Sequence, residues 1–320
     1  MSDRRNLLDL EGWSAADITA MLDLAVHLRE QHQTNGKLDL LHGQSVITLF
    51  YENSTRTRVS FELAAKALGA DVANMTATGS SVEKGESLLD TIKTLDAMGP
   101  SVIVMRHHAS GAAETAAGWC RAAMVNAGDG WHAHPTQALL DALTLREQWG
   151  DFAGKRIVIV GDIQHSRVAR SNCWSLTALG AEVILCGPPT LLPATFAAAY
   201  PDRAVSVEYD LSHALERANA VMVLRLQKER MDGGFLPSLR EYRRDYGLTP
   251  ERLAPYPDLP VLHPGPMNEG IEIDPAIAHG ATSRIERQVA NGVAVRMAVL
   301  AWAAGAVDLP QGQEVTYGKK

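Results

Sequence analysis

"KRIVIVGDIQHSRVARSNCWSLTALGAEVILCG", residues 155–187, changes its pattern twice. Ile157–Val160 is an unbroken apolar run rich in β-branched residues, the signature of a strand covered on both faces. Residues 166–180 carry helical spacing and stop at Gly180, and "AEVILCG" (181–187) is a second buried strand. Strand, helix and strand in direct succession make a βαβ unit, whose two strands must lie parallel.

The same alternation continues outward. "SVITLFY" (45–51) reads as a strand followed by a helix ending near Gly69, and the helical "LLDTIKTLDAMG" leads into the strand "SVIVMRH" (101–107). "AAMVNAG" (122–128) precedes a helix from about Pro135 to Trp149, while "NAVMVLR" (219–225) and "PVLH" (260–263) are further strands. The fold class expected is α/β, with two doubly wound domains built on parallel sheets. "QWGDFAGK" (148–155) reads as their junction. A terminal helix over about 284–305, with Ile285, Val289, Val293, Met297 and Leu300 on one face, is expected to pack back on the first domain. The first domain then comprises 1–149 plus about 284–310, and the second 150–283.

Bulk properties narrow the function. The chain has 320 residues, 46% hydrophobic and 21% charged, with net charge −7, enough chain for two cores and the wrong sign for a general nucleic-acid binder. Its three cysteines, Cys120, Cys173 and Cys186, form no CxxC pair, which points to a reducing compartment and no structural zinc. The N-terminus has no signal-peptide core and no apolar run approaches about 20 residues, so a cytoplasmic protein without membrane association is expected.

In open α/β sheets ligands bind beyond the carboxyl ends of the strands, so the residues that follow each strand carry the search. After 45–51 comes Ser54-Thr-Arg-Thr-Arg58, at the start of a helix with Phe61, Ala64, Ala65 and Leu68 on its apolar face. Free N–H groups, hydroxyls and guanidinium forks suit a phosphate; an ordinary Ser/Thr helix cap with solvated arginines is the competing reading. Cations in the first turn oppose the helix dipole, which favours the anion. Arg106 ends the strand at 101–107, as an anion contact or a structural ion pair. His134 precedes Pro135, Thr136 and Gln137 at a helix start, where a neutral imidazole can donate to a carbonyl oxygen. His132-Ala-His134 has metal-like spacing but neither Cys nor acidic ligands in support, so no metal is assigned.

In the second half, Arg167 opens a helix and suits a carboxylate, or is a surface arginine. "GDIQHSR" is not GxGxxG, so dinucleotide binding has weak support. Arg225 and Gln227 stand two apart at a strand end, and "LHPGPMNEG" (262–270) is either a simple turn or a source of carbonyls for an amino group. The polar stretch "TATGSSVEKGESLLDT" (76–91) carries Ser80, Ser81 and Lys84, as surface or as a lid with a cation. No GxxxxGK[ST] motif exists for an ATP-driven mechanism. Several cations, one histidine and no evident nucleophile suit two anionic substrates and a charged transition state.

Ser54–Arg58, "HPTQ" (134–137) and "HPGP" (263–266), in that order, resemble the aspartate/ornithine carbamoyltransferases over nearly the whole chain. "SSVEKGES", "LRLQKER" and the HPGP turn resemble the aspartate branch. The ornithine branch has a cysteine-containing HCLP turn that is not seen here. The resemblance implies transfer of the carbamoyl group of carbamoyl phosphate to L-aspartate, in pyrimidine biosynthesis, without a cofactor. It implies that Ser54, Thr55, Arg56 and Thr57 cradle the phosphate, and that Thr57, Arg106 and His134 polarise the carbonyl. Gln137 with the carbonyls of Gly265 and Pro266 would hold the carbamoyl nitrogen. Arg167, Arg225 and Gln227 would bind aspartate, with Ser80 and Lys84 arriving from a neighbouring chain of a homotrimer that shares its sites. Regulatory chains or a dihydroorotase are further partners that such trimers admit. Arg58 is expected to face away and serve structure. Glu269 departs from the family pattern, where arginine is common, and Ser81 competes with Ser80 for the ligand. Three other readings remain: an ornithine-type transferase, a non-catalytic paralogue keeping the fold, and a dinucleotide-dependent enzyme.

Overall fold

The computed structural model describes residues 5–76, 85–226 and 238–309. The chain divides into two compact units, one taking the chain up to Leu139 and again from Asn291, the other running Leu140–Ala290.

The first unit opens with α1 (Ala15–Asn35), started by a reciprocal capping box between Ser14 and Asp17. There follow β1 (Ser45–Phe50), α2 (Thr55–Ala67), β2 (Asp71–Thr76), α3 (Leu88–Ala97), β3 (Val102–His107), α4 (Ala112–Ala117) and β4 (Ala123–Asp129). The strands form a parallel sheet in the order β2-β1-β3-β4. Leu49, Ile103, Met105 and Met124 pack on one of its faces against Ile92 and Leu95 of α3 and the alanines of α4. α5 (Pro135–Trp149) starts in this unit and ends in the other.

The second unit holds β5 (Arg156–Val160), α6 (Arg167–Ala178), β6 (Glu182–Cys186), β7 (Val205–Glu208), α7 (Leu211–Leu215) and β8 (Ala220–Val223). α8 (Leu239–Tyr246), α9 (Pro250–Leu253), β9 (Val261–Leu262) and α10 (Pro275–Ala278) complete it. Its sheet is also parallel, in the order β7-β6-β5-β8-β9, over a core that includes Val158, Val160, Val221 and Val223.

Two strands escaped the sequence pattern, β2 and β7. Both are sheet-edge strands with half-open faces, so neither shows the apolar run of a central strand.

α11 (Ile285–Ala303) returns to the first unit. There Arg29 Nη1 donates to Asn291 Oδ1 at 2.7 Å, the Arg296 guanidinium lies 5.0 Å from the Phe61 ring centroid, and Trp302 meets Trp13 edge-on. The predicted face needs one correction, because Val289 is exposed. A row spaced by four residues advances 40° per step on a helix of 100° per residue, so it cannot stay on one side. The buried surface instead takes in Ala294, Val295, Met297 and Ala298.

Candidate active site

In the first unit the chain runs outward from β1 in both directions across the sheet, and the switch point lies between β1 and β3, the position where such sheets bind ligands. β1 and β3 end in register, Phe50 opposite Arg106, and the N–H of Tyr51 donates to the Arg106 carbonyl at 2.9 Å. Four residues beyond Phe50, Ser54 is the N-cap of α2, yet its hydroxyl makes no capping hydrogen bond. The helix-cap reading therefore fails to account for Ser54. Thr55, Arg56 and Thr57 form the first helical turn, with Thr57 buried and Arg56 exposed. Arg56 has no hydrogen bond or ion pair among the described residues, whereas the Arg58 charge contributes, after Lys66 and Asn74, to holding the Glu62 carboxyl below its usual range.

Arg106 is held by Glu52, Nε to Oε2 at 3.2 Å, and donates from Nη1 to the Ala127 carbonyl at 3.2 Å. This ion pair crosses the switch point, and Glu52 was not foreseen as part of it. A lone acid before "NSTRTR" carries no local sign of a partner 54 residues away. Beside β3, β4 ends in a turn that delivers His134, whose carbonyl accepts from the N–H groups of Gln137 and Ala138. His134, Thr136 and Gln137 are buried, and Oγ1 of Thr136 has no hydrogen-bond partner among the described residues.

The second unit has its own switch point, between β5 and β8. Gly161 follows β5 with φ 137°, and a Cβ there would sit 3.0 Å from the Leu224 side chain and carbonyl. Buried Asp162 then accepts from the backbone N–H of His165 at 3.2 Å and lies 2.7 Å from its ring Nδ1. Ser166 caps α6 by accepting from the N–H of Ala169, so Arg167 occupies the first helical position and is itself buried. Arg225 stands two residues beyond β8, half-buried.

"HPGP" follows β9 and is built on His263. The Gly265 N–H donates to His263 Nδ1 at 2.8 Å, so the ring's proton is on Nε2, which faces Glu272 Oε1 at 3.4 Å. The same carboxylate oxygen accepts from the Asn268 N–H. The backbone of His263 donates to Gln288 Oε1 at 2.9 Å; Gln288 Nε2 donates to Asp141, which also accepts from Asn172. Glu272, Gln288 and Asp141 were not singled out from sequence, since each sits among helical or apolar neighbours with no motif.

Ser80, Ser81, Lys84 and Gln227 lie outside the described residues. Burial pushes the thiols of Cys173 and Cys186 up to about 12, leaving neither as a nucleophile. Glu269 is exposed and lies 3.3 Å from His279.

Residues 5–147 match the family described as aspartate/ornithine carbamoyltransferase, carbamoyl-P binding domain, and residues 153–303 match the Asp/Orn binding domain of the same family. The chain belongs to the aspartate/ornithine carbamoyltransferases. Among its relatives in this family, the aspartate carbamoyltransferase catalytic subunit of Chloroflexus aggregans is 57% identical over 94% of this chain and 99% of its own. That of Myxococcus xanthus is 52% identical over 92% and 98%. Carbamoyltransferase structures share the fold. Aspartate transcarbamoylase from Trypanosoma cruzi, in complex with carbamoyl phosphate and aspartate, superposes with TM-score 0.83 at 30% identity, covering 93% of this chain and 96% of its own. Ornithine carbamoyltransferase from Pyrococcus furiosus gives TM-score 0.84 at 25% identity over 95% and 98%.

Proposed function

We propose that this carbamoyltransferase uses L-aspartate, converting it with carbamoyl phosphate to N-carbamoyl-L-aspartate and phosphate, as in pyrimidine biosynthesis. The observation that carries the reading is the start of α2, at the switch point of a parallel sheet, where the Ser54 hydroxyl makes no capping bond and the Arg56 guanidinium has no ion pair among the described residues. The high identity to aspartate carbamoyltransferase catalytic subunits supports aspartate as acceptor. So does the buried cation Arg167, which suits a dicarboxylate better than the cationic side chain of ornithine.

The carbamoyl-phosphate domain is the 1–149 segment with the helix at about 284–310, and 150–283 is the aspartate domain. Ser54, Thr55, Arg56 and Thr57 take the phosphate oxygens. Thr57, Arg106 and His134 donate to the carbonyl oxygen, while Gln137 and the carbonyls of Gly265 and Pro266 take the carbamoyl amino group. Arg167, Arg225 and Gln227 bind the aspartate carboxylates. The aspartate amine attacks the carbonyl carbon, the new C–N bond forms, and the C–O bond to phosphate breaks with its electron pair on the departing oxygen. The phosphate takes the amine proton, so no protein base is required. Donors fixed where the oxyanion grows lower the barrier by about 2.7–4 kcal/mol each.

The assembly inferred is a cytoplasmic homotrimer with shared sites, in which Ser80 and Lys84 serve a neighbouring chain. Val59 and Leu63, exposed apolar residues one turn apart on α2, are the kind of surface a second copy covers. Steady-state assays with aspartate and with ornithine test the reaction: turnover of aspartate is expected, and turnover of ornithine alone would overturn it. Mixing Arg56→Ala with Lys84→Ala chains tests the assembly, because shared sites restore activity in hybrids and separate sites do not.

A further inference from the structure

His132 lies two residues before His134 and has no place in the chemistry above. Its surroundings are built from three directions. Asp129, at the end of β4, is 1% exposed and accepts four hydrogen bonds on its carboxylate. The donors are the Gly111 N–H at 2.6 Å, Asn126 Nδ2 at 2.8 Å, the Ala133 N–H at 3.0 Å and His132 Nδ1 at 3.1 Å. The backbone closes the same turn, with the Asp129 N–H donating to the Ala133 carbonyl and the His132 N–H to the Asp129 carbonyl. The turn is also pressed on the loop after β3. Gly130 donates to the His107 carbonyl with φ 46°, and a Cβ on it would sit 2.5 Å from the Ser110 nitrogen.

On its other side, His132 Nε2 stands 4.0 Å from Asp9 Oδ2. Asp9 belongs to the N-terminal segment, which runs beside β4 through the Leu7–Met124 and Asn126–Leu7 backbone bonds. A neutral imidazole that donates from Nδ1 to Asp129 turns an uncharged lone pair on Nε2 toward Asp9. An imidazolium keeps its hydrogen bond to Asp129 and adds a positive charge 4.0 Å from Asp9, an ion-pair contact rather than a second hydrogen bond.

We propose that His132 is a positioning residue, whose ring, held between Asp129 and Asp9, locks the 129–134 turn and so sets His134, Thr136 and Gln137 at the start of α5. The inference rests on the proposed roles of His134 and Gln137 at the carbamoyl group. The charged groups facing His132 are Asp129 on its own turn, Asp9 on the N-terminal segment and Glu114 on α4, and all are acidic. The Asp129 hydrogen bond leads them in raising the His132 pKa above 6.5, against desolvation. The charged contact is therefore complete below about pH 6.5, and as the pH rises through the raised value the attraction to Asp9 is lost while the single hydrogen bond to Asp129 remains.

The test follows ring resonances by NMR and KM for carbamoyl phosphate across pH, in the wild type, His132→Gln and Asp9→Asn. In the wild type, His132 titrates above 6.5 and the His134 resonances shift with it. His132→Gln raises KM roughly fivefold at neutral pH, the difference between a charged and a neutral hydrogen bond, and the two enzymes converge above the His132 titration. Asp9→Asn keeps the ring and moves both the titration and the KM step to lower pH. A His134 signal indifferent to His132, or a His132→Gln profile parallel to the wild type at every pH, overturns the proposal. Absence of carbamoyl transfer in the wild type defeats the proposed reaction instead, and the coupling of the two rings is then decided by NMR alone.

Discussion

The two parallel sheets solve one topological problem in two ways. Each reverses its strand order once, between β1 and β3 in the first unit and between β5 and β8 in the second, and each lines the reversal with arginine. In the first, Ser54 and Arg56 stand partly or wholly open on a helix start, and the ion pair between Glu52 and Arg106 spans the gap. In the second, Arg167 is buried, Asp162 and His165 fix the turn before it, and the His263–Glu272 and Gln288–Asp141–Asn172 contacts brace the neighbouring turn from below. In the proposed roles, the open first turn offers several donors to a departing group with many oxygens, while the buried, braced Arg167 would hold one carboxylate in one orientation, its desolvation making that contact selective.

The sharpest way to break this contrast is Arg56→Ala. Removing a guanidinium from the leaving-group side is expected to lower kcat by roughly 10²–10³-fold while aspartate binding changes little. A loss confined to KM for aspartate would erase the distinction between the two switch points. Arg167→Ala should give the opposite split, raising KM for aspartate on the order of a hundredfold, as truncating one side of a buried charge pair does, with a smaller change in kcat. Equal effects on both substrates would mean that the second switch point is no more selective than the first. Gln288→Ala tests the bracing alone. It removes the acceptor of the His263 N–H and takes from Asp141 Oδ1 the donor that Gln288 supplied, which should destabilise the protein by about 2–3 kcal/mol in denaturant unfolding. An unchanged midpoint would show that the HPGP turn stands without its support.

The pattern of elements was legible where strands are central. Ile157–Val160 and Val102–Met105 are buried on both faces and had to be apolar throughout, and Val183–Cys186 is buried except for half-buried Ile184. β2 and β7 were not legible, since these two edge strands are largely open to solvent and read as polar loop, whereas the edge strands β4 and β9 are buried and were legible. Val289 shows the other limit, a residue with the right spacing on a helix that had turned away by that point. Among functional candidates, those that announce themselves do so through local geometry: hydroxyls and arginines at a helix start, histidine before Pro135, a turn written as HPGP.

Ser54–Arg58 is the stretch that separates the two levels of information most clearly. Its residue types and its place between a strand and a helix follow from sequence, because apolar periodicity and the chemistry of the first turn are both local. Whether Ser54 caps the helix depends on where its hydroxyl points, and the folded chain leaves that hydroxyl unused for capping. Glu52 beside Arg106, Asp9 beside His132 and Gln288 beside Asp141 are likewise contacts between residues far apart in the chain. A buried polar group needs a partner, but nothing local says which one. Only the tertiary packing brings the two ends of such a pair within reach of each other.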